Sequence, residues 1–317
     1  MAEVKRIATR KSYGEALVEI GAVDKDVVVL DADLGGSTMT AMFKEHYPDR
    51  FFDCGIAEAN MIGVAAGLAA SGKKPFASTF AMFAAGRAFE QIRNSVGYPK
   101  LPVKICATHA GISVGEDGAT HQCCEDMALM RAIPGMTIIN PADDVEAKAA
   151  IKAIVNLDGP VYVRLGRLPV PVFNDEKTYH FELGKGITMR DGEDITIVAT
   201  GLMVYEALGA ADLLAKEGIH SRVIDIHTIK PIDEDLLVKA ARETGVLVTV
   251  EEHSVVGGLG EAVSSVLCAQ YPARVVKLGI QDEYGISGPA LELLDYYGLT
   301  APHIAEQVKK AYYAKIR

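Results

Sequence analysis

The sequence predicts an α/β fold with two tandem domains, each built on a mostly parallel sheet covered by helices. Short runs rich in Val and Ile alternate with helical patterns along the chain, which is typical of such sheets. The alternation is interrupted at residues 168–180, where proline and polar residues cluster. The chain has 317 residues and is 49% apolar, which is enough for two substantial cores.

Five main strands and five helices are predicted in the first domain, residues 1–172. The apolar runs indicate strands near 26–31, 74–79, 103–108, 136–140 and 160–165. Helical patterns fill the intervals at about 11–21, 58–71, 82–96, 124–132 and 143–156. A shorter strand is expected to end at Asp53.

A linker at 173–186 and a second α/β domain at 187–317 are expected to follow. The strands of this domain are predicted near 194–199, 220–226, 246–251 and 274–279. Its helices are predicted at about 203–217, 233–243, 258–270, 289–298 and 301–315.

The composition argues against several classes of function. A formal net charge of −10 and a pI near 5.3 disfavour nucleic acid or an acidic membrane as the main partner. No apolar run approaches the roughly 20 residues that span a bilayer. The five cysteines form no C-x-x-C pair, so neither a disulfide framework nor a zinc ribbon is indicated. We expect a soluble cytoplasmic protein that acts on small molecules.

Glu58 lies between a glycine turn and a long run of small apolar residues, in the segment DCGIAEANMIGVAAGLA at 53–69. Gly55 permits a sharp turn after the preceding strand, so Glu58 falls in the first turn of a helix. That helix carries almost no charge, and we expect both of its faces to be buried. Small residues at three- and four-residue spacing predict a close contact with another helix: Gly63, Ala66, Gly67 and Ala70.

Two interpretations of Glu58 are open from its position alone. A glutamate in the first turn commonly complements the positive end of the helix dipole. Alternatively, desolvation among apolar residues raises the proton affinity of a carboxylate, which suits it to proton exchange near neutral pH.

The densest polar segment is THAGISVGEDGATHQCCED at 108–126, directly after a predicted strand. Open α/β sheets bind ligands at this carboxyl edge. Its polar candidates are His109, Glu116, Asp117, His121, Glu125 and Asp126. Three interpretations are open: a polar turn without a ligand, a metal site of the histidines and the adjacent cysteines, and an active-site loop. The side chains of adjacent cysteines point apart, which disfavours the metal site.

Aromatic and arginine side chains supply further candidates. Phe80 and Phe83 lie at a predicted strand-to-helix junction, where a ring can stack on an aromatic cofactor or fill a core, whereas Phe89 is expected in the core. Arginine favours bidentate binding of phosphate or carboxylate, although a lone arginine is commonly a surface charge. Three arginines stand apart in this acidic chain: Arg10, Arg164 and Arg167.

Five segments resemble transketolase in the same order along the chain. They are GIAEANMIGVAAGLA, STFAMF, THAGISVGEDGATHQ, VIDIHTIKPID and EEHSVVGGLGEAV. The likeness covers essentially the whole chain, against the C-terminal two-thirds of a full-length transketolase. It implies a pyrimidine-binding domain followed by a transketolase C-terminal domain. It also implies transfer of a two-carbon ketol unit from a ketose phosphate to an aldose phosphate, as in the pentose phosphate pathway.

The resemblance implies thiamine diphosphate as the cofactor and assigns roles to residues. Glu58 would hydrogen-bond the aminopyrimidine ring and so promote loss of the proton from the thiazolium carbon. Phe83 and Phe80 would line the pyrimidine pocket, with Asp33 close to the cofactor. The sugar phosphate would contact Arg10, Ser37, His109 and Arg167. Asp117 would bind a hydroxyl group of the acceptor, and His121, with His109, would assist proton transfer.

The diphosphate-binding half of the family is missing from this sequence. That half uses a Gly-Asp-Gly start and a later Asn to hold a metal on the diphosphate, and the nearest approach here is Asp191-Gly192. The resemblance therefore implies no metal ligands in this chain. A separate N-terminal subunit would hold the diphosphate with Mg²⁺ or Ca²⁺, in a two-plus-two heterotetramer. Three alternatives stay open: a 1-deoxyxylulose-5-phosphate synthase-like enzyme, a 2-oxoacid dehydrogenase beta-subunit-like enzyme, and a non-catalytic assembly subunit.

Overall fold

A computed structural model describes residues 5–315 and confirms the α/β fold with mostly parallel sheets. The strands are β1 (Arg6–Ile7), β2 (Val27–Asp31), β3 (Phe51–Asp53), β4 (Lys74–Phe80), β5 (Lys104–Thr108), β6 (Thr137–Ile139), β7 (Val161–Arg164), β8 (Val170–Pro171), β9 (Ile187–Arg190), β10 (Ile195–Ala199), β11 (Ser221–Asp225), β12 (Thr228–Lys230), β13 (Val246–Ser254) and β14 (Arg274–Ile280). The α-helices are α1 (Thr9–Val23), α2 (Gly35–Thr38), α3 (Ala41–His46), α4 (Glu58–Ala70), α5 (Phe89–Gln91), α6 (Asp126–Arg131), α7 (Asp144–Ile154), α8 (Met203–Lys216), α9 (Glu234–Thr244), α10 (Leu259–Gln270), α11 (Ala290–Tyr296) and α12 (Ala301–Lys315). Shorter 3-10 or π-helical segments lie at Pro48–Arg50, Met82–Arg87, Ile92–Gly97 and Ile112–Asp117. No helix within residues 5–315 combines the length and apolar character that a membrane crossing requires.

The larger sheet has seven strands in the order β12-β6-β7-β5-β4-β2-β3. Neighbouring strands are parallel throughout, except that β12 is antiparallel to β6. A parallel sheet buries both faces of its strands, which explains why β2 reads VVVLD and is buried at all five positions. All the main strands predicted in the first half are present in this sheet.

The second sheet has five strands in the order β14-β13-β10-β11-β9. Only β9 is antiparallel to its neighbour. The four predicted strands of the second half are present, and α8 packs against α12 beside them. A separate antiparallel pair, β1 with β8, ties the start of the chain to the segment at 168–180. The division of the chain at a 173–186 linker stays a prediction.

A strand from the second half completes the first sheet, which the sequence pattern did not predict. β12 has three residues and pairs with β6 at the edge of the sheet. The amide of Asn140, after β6, donates to the main-chain oxygen of His227 at 2.8 Å. Ile226 and Ile229 join the apolar cluster that also contains Leu30 of β2. The two halves therefore share one sheet and part of one core.

A buried ion cluster also joins the two halves. The Arg164 side chain is 2% exposed, and its Nε donates to both carboxylate oxygens of Asp126, at 3.1 and 3.0 Å. Its Nη2 donates to the main-chain oxygen of Glu252 at 3.1 Å, and the Glu252 carboxylate lies 3.7 Å from Nη1. Arg164 is thus a structural cation rather than a surface charge. Asp126 is its counter-ion rather than a free polar residue of the loop.

Within the described chain, α4 is covered on one face only. Its buried apolar residues are Met61, Ile62, Ala65, Ala66 and Ala69. On the other face, Val64 is 39% exposed, and no described atom beyond the adjoining part of α4 itself lies within 4 Å of where a Cβ on Gly63 or Gly67 would be. The expectation that both faces are buried is therefore wrong for residues 5–315 of a single chain, because no described element packs beside Gly63, Val64 or Gly67.

The segment predicted as one helix at 82–96 contains two wide turns. The amide of Ala88 donates to the main-chain oxygen of Phe83 at 3.1 Å, and the amide of Tyr98 donates to the main-chain oxygen of Arg93 at 2.9 Å. Each bond reaches back five residues, as in a π-helix, a feature that is frequent at functional sites. The first of these turns spans Met82–Arg87, so it sets the directions of the side chains of Phe83 and Arg87, which belong to the candidate site.

Candidate active site

Three neighbouring parallel strands bring the sequence-predicted residues to one edge of the larger sheet. β2, β4 and β5 lie side by side, so the segments that follow them emerge together at their carboxyl ends. β4 ends at Phe80, and β5 ends at Thr108, directly before His109. The polar loop and the aromatic junction are therefore spatial neighbours.

Glu58 is the first residue of α4 and is 2% exposed. The turn before it requires Gly55, whose φ is +68° and whose amide donates to Asp53 Oδ1 at 3.0 Å. Arg87 donates from Nη1 to Glu58 Oε1 at 2.8 Å. Glu58 Oε2 is buried and has no hydrogen-bond partner in the part of the chain that the structure describes. Because an unpartnered buried oxygen costs free energy, a ligand that donates to Oε2 would be stabilised here.

Four aromatic rings form a continuous contact beside Glu58. Phe80 and Phe83 stack with centroids 5.8 Å apart and an angle of 16° between planes. The imidazole of His109 stacks on Phe80 at 3.8 Å, and His121 meets Phe83 edge-on at 5.4 Å. Phe80 is buried and Phe83 is half-buried. The guanidinium of Arg87 lies over the Phe83 ring, 4.5 Å from its centroid, and so connects Glu58 to the rings.

The surroundings of His109 keep its imidazole neutral. Burial, and then the nearby charges of Arg10, Arg167 and His121, lower the pKa of His109 to about 3. Its Nδ1 lies 2.9 Å from the hydroxyl oxygen of Thr108, within hydrogen-bond distance. A neutral imidazole held in this way can donate or accept a hydrogen bond at a substrate oxygen.

A buried carboxylate holds the turn after β2. Asp31 accepts hydrogen bonds from the hydroxyl groups of Thr38 and Thr40, at 2.7 and 2.8 Å. On α1, Arg10 donates from Nη1 to the main-chain oxygen of Ser37 at 2.7 Å. The structure therefore brings Arg10 and Ser37 together across 27 residues of sequence.

Arg10 and Arg167 line a cavity of about 690 Å³ between the two halves of the chain. Its charged lining residues are Arg6, Arg10, Lys11, Arg167, Glu116 and Glu292. Arg167 donates from Nη1 to Glu116 Oε2 at 2.6 Å, whereas Arg10 Nε is buried without a hydrogen-bond partner among residues 5–315. Cations outnumber carboxylates in this lining, which suits an anion such as phosphate.

Two predicted residues reach the same edge without joining the buried contacts. Asp33 is exposed, has a φ of +62°, and donates its amide to Asp53 Oδ1 at 3.1 Å. Asp117 is exposed at the end of the 3-10 segment that follows β5. By contrast, His121 is half-buried against Phe83.

The sequence interpretation missed Arg87 and Ser113. Arg87 is the only charged residue in STFAMFAAGRAF at 78–89, and this isolation was the available signal. Ser113 donates its amide to Glu252 Oε2 at 3.0 Å, and its hydroxyl is buried without a partner within the described range. That contact joins the polar loop to the second half of the chain, 139 residues away, so no local pattern could reveal it.

The metal-site interpretation of the polar loop has no structural support. Cys123 and Cys124 are buried, and burial raises the pKa of both thiols, which disfavours the thiolate that binds metals. Between residues 5 and 315 there is no cluster of three or more His, Cys, Asp or Glu side chains placed to hold a metal ion.

Two family models match this chain in tandem. The transketolase pyrimidine-binding domain matches residues 5–172, and the transketolase C-terminal domain matches residues 184–304. A solved structure described as the inactive beta4 tetramer of a split-gene transketolase has a TM-score of 0.88 and 53% identity. That match covers 97% of this chain and 98% of the other.

Three related sequences show how much of a transketolase this chain represents. A putative transketolase C-terminal section from Methanocaldococcus jannaschii is 53% identical over 94% of each chain. A 6-deoxy-6-sulfo-D-fructose transketolase subunit from a Clostridium species is 44% identical over 93% of this chain and 91% of its own length. Human transketolase is 38% identical over 96% of this chain but only 49% of its own length. The chain therefore spans about half of that relative, whereas the sequence led us to expect two-thirds of a full-length transketolase. In sequence and in fold, this chain belongs to the transketolase family.

Proposed function

We propose that this chain is the C-terminal subunit of a two-chain, thiamine-diphosphate-dependent transketolase. It would transfer a two-carbon ketol unit from a ketose phosphate to an aldose phosphate, in the pentose phosphate pathway. The observation that carries the proposal is the buried Glu58 carboxylate. Its Oε2 has no partner within residues 5–315, while Arg87 links its Oε1 to the ring of Phe83.

The residues present fit the aminopyrimidine ring of thiamine diphosphate. Glu58 Oε2 can share a proton with a ring nitrogen, and the half-buried Phe83 offers a flat face for stacking, with Phe80 behind it. When bound, the cofactor supplies a thiazolium carbon that adds to a carbonyl and stores the electron pair released by carbon–carbon cleavage. Glu58 would hold or release a proton at the ring nitrogen, in surroundings that largely exclude water. Asp33 would approach the cofactor from the same edge.

The sugar phosphate would bind where the cations converge. We assign its phosphate to the cavity lined by Arg10 and Arg167, with Ser37 adjacent, because positive charge predominates there. The neutral imidazole of His109 would hydrogen-bond a substrate oxygen and exchange a proton there. Further contacts to sugar hydroxyl groups would come from the same loop, through His121 and Asp117.

The proposal includes an N-terminal subunit that holds the diphosphate with Mg²⁺ or Ca²⁺. The similar chains that are described as a transketolase subunit and as a split-gene transketolase support a second chain. The similar split-gene structure is described as an inactive beta4 tetramer, which supports self-association of this chain and an activity that needs a different subunit, and we propose a two-plus-two assembly of the two chains. The uncovered face of α4, with Gly63 and Gly67, offers a surface for close helix packing at a subunit boundary. The five cysteines are free thiols, which agrees with a reducing cytoplasm.

Reconstitution with the natural partner tests this proposal. The partner is co-purified from native extract, and the complex is assayed with an aldose phosphate as acceptor and with either xylulose 5-phosphate or pyruvate as donor, in the presence of thiamine diphosphate and Mg²⁺. A 6-sulfo sugar is included as a third donor because one relative is named for that substrate class. We expect ketol transfer from xylulose 5-phosphate by the complex and none by the single chain. Turnover of pyruvate would favour the synthase-like or dehydrogenase-like alternatives, and transfer by the single chain at a normal rate would refute the two-chain proposal.

Glu58→Gln tests the role of the carboxylate within that complex. The substitution keeps the shape of the side chain and removes the exchangeable proton, so we expect transfer to fall by about a hundredfold or more. Glu45→Gln makes the same chemical change at an exposed position on α3 and serves as the control. Full activity of the Glu58→Gln complex would revive the non-catalytic alternative.

A further inference from the structure

The side chain of Arg87 contacts the two residues, Glu58 and Phe83, that the proposed pyrimidine ring would contact. Its Nη1 donates to Glu58 Oε1 at 2.8 Å, and its guanidinium carbon lies 4.5 Å from the centroid of Phe83. A guanidinium is flat, donates hydrogen bonds from its edge and stacks on aromatic faces. An aminopyrimidine has the same three properties, so the two groups suit the same place.

The two partners in this ion pair differ in how firmly they are held. The Glu58 carboxylate is 2% exposed at the start of α4, whereas the Arg87 side chain is 52% exposed. A half-exposed arginine gains solvation when it leaves the pair. A buried carboxylate left without any partner is costly. Arg87 is therefore the group that can move, and only when another donor replaces it.

We propose that Arg87 occupies the pyrimidine site in the cofactor-free chain and is displaced when thiamine diphosphate binds. The inference rests on the proposed function, because it presupposes that Glu58 and Phe83 bind the aminopyrimidine ring. Until the cofactor arrives, the guanidinium neutralises the buried carboxylate and covers the open face of the ring. Arg87 is thus a positioning residue for Glu58, and its departure accompanies cofactor binding.

This competition weakens the apparent affinity for the cofactor. When only a fraction of the molecules has a site that can bind, the apparent dissociation constant equals the intrinsic constant divided by that fraction. Removing a half-exposed ion pair together with its cation–π contact is expected to tighten binding about fivefold, which corresponds to about 1 kcal/mol. A residue that merely supported the fold would have the opposite effect.

The first test measures binding of thiamine diphosphate with Mg²⁺ by calorimetry, using the complex with the co-purified partner. Arg87→Ala is expected to bind about fivefold more tightly than wild type, and Arg87→Lys to fall between them, because lysine keeps the charge without the flat fork. Arg93→Ala removes the same charge from an exposed residue of the next wide turn and should leave the affinity unchanged; among residues 5–315, the Arg93 side chain bonds only to Asn94.

The outcomes separate this inference from the proposed function. Wild-type complex that binds thiamine diphosphate while Arg87→Ala binds equally or more weakly overturns the inference and leaves the proposed function standing. Wild-type complex that binds no thiamine diphosphate refutes both.

A second test uses the isolated chain and needs neither partner nor cofactor. Arg87→Ala should lower its melting temperature by about 2 °C, because Glu58 loses its counter-ion. In a Glu58→Gln background, where no charge needs compensation, the same substitution should have no such effect. Equal effects in both backgrounds would show that the two side chains are not coupled and would overturn the inference.

Discussion

We expect this protein to lose stability as the pH rises from about 5 to about 7, and we expect Asp225→Asn to reduce that loss. Asp225 ends β11 and is buried, and neither of its carboxylate oxygens accepts a hydrogen bond from an N–H or O–H group of residues 5–315. It faces Glu146 on α7, which is also buried and accepts hydrogen bonds from the amide of Ala142 and the hydroxyl of Tyr179. Two adjacent buried carboxyl groups require a shared proton.

The magnitude follows from the proton that this pair retains. Burial, reinforced by the charge of Asp143, raises the pKa of Glu146 from its ordinary 4.5 to about 7, and burial raises the pKa of Asp225 as well. The unfolded chain releases these protons near the ordinary values. Between about pH 4.5 and about 7, the folded protein therefore holds a proton that the unfolded chain has lost, so stability falls as the pH rises. One proton corresponds to about 1.4 kcal/mol per pH unit, or about 3 kcal/mol across two units.

In Asp225→Asn, the side-chain amide donates to Glu146 without a shared proton, so the part of this slope that comes from the Asp225 carboxyl group should disappear. Urea unfolding of both proteins between about pH 5 and about 8 gives the difference in their free energies of unfolding, and groups that titrate equally in both proteins cancel. We expect the variant to gain about 1 kcal/mol on the wild type per pH unit through the window. Asp282→Asn, at an exposed position, should show no such trend. A difference that stays constant to within about 0.3 kcal/mol would refute the shared proton.

Three further substitutions test the fold and the assembly. Arg164→Met should lower the free energy of unfolding, measured by denaturant titration, by about 3–5 kcal/mol, because two buried carboxylates lose their counter-ion. Arg190→Met breaks an exposed pair and should lower it by less than about 1 kcal/mol. Equal losses in the two variants would contradict the argument. Gly63→Leu should leave the stability of the isolated chain within about 1 kcal/mol of wild type, because the space beside Gly63 is open. The same substitution should weaken assembly with the partner, measured by sedimentation. Unchanged assembly would argue against α4 as a subunit contact. Gly55→Ala should lower the free energy of unfolding by about 1–2 kcal/mol because alanine disfavours the positive φ at this position; no described atom crowds the new Cβ. An unchanged melting temperature would contradict this.

Much of the fold was predictable because its main strands are buried on both faces. Runs such as VVVLD in β2 carry their own signal, and the structure places a strand at every main position predicted. The signal failed for β12, because three residues are too few for a pattern and its partner strand lies far along the chain. It also failed for the second face of α4, where small apolar residues read as buried although no described element covers them.

The candidate site was predicted less completely than the fold. Local residue order was enough to indicate Glu58, the aromatic junction and the polar loop, since each follows directly on a strand or a glycine turn. The partners of these residues were not predictable. The contact of Glu58 with Arg87 spans 29 residues, and that of Ser113 with Glu252 spans 139.

The sequence by itself determined the alternating α/β pattern, the positive-φ turn that introduces Glu58, and the edge of the sheet at which the polar loop emerges. These depend on residue order within a few turns of chain. Only the tertiary structure decided that Arg164 is a buried cation, that a strand from the second half closes the first sheet, and that Arg87 rather than solvent faces Glu58. Such contacts depend on the order of strands in a sheet and on burial, which are properties of the packed chain and not of any local segment.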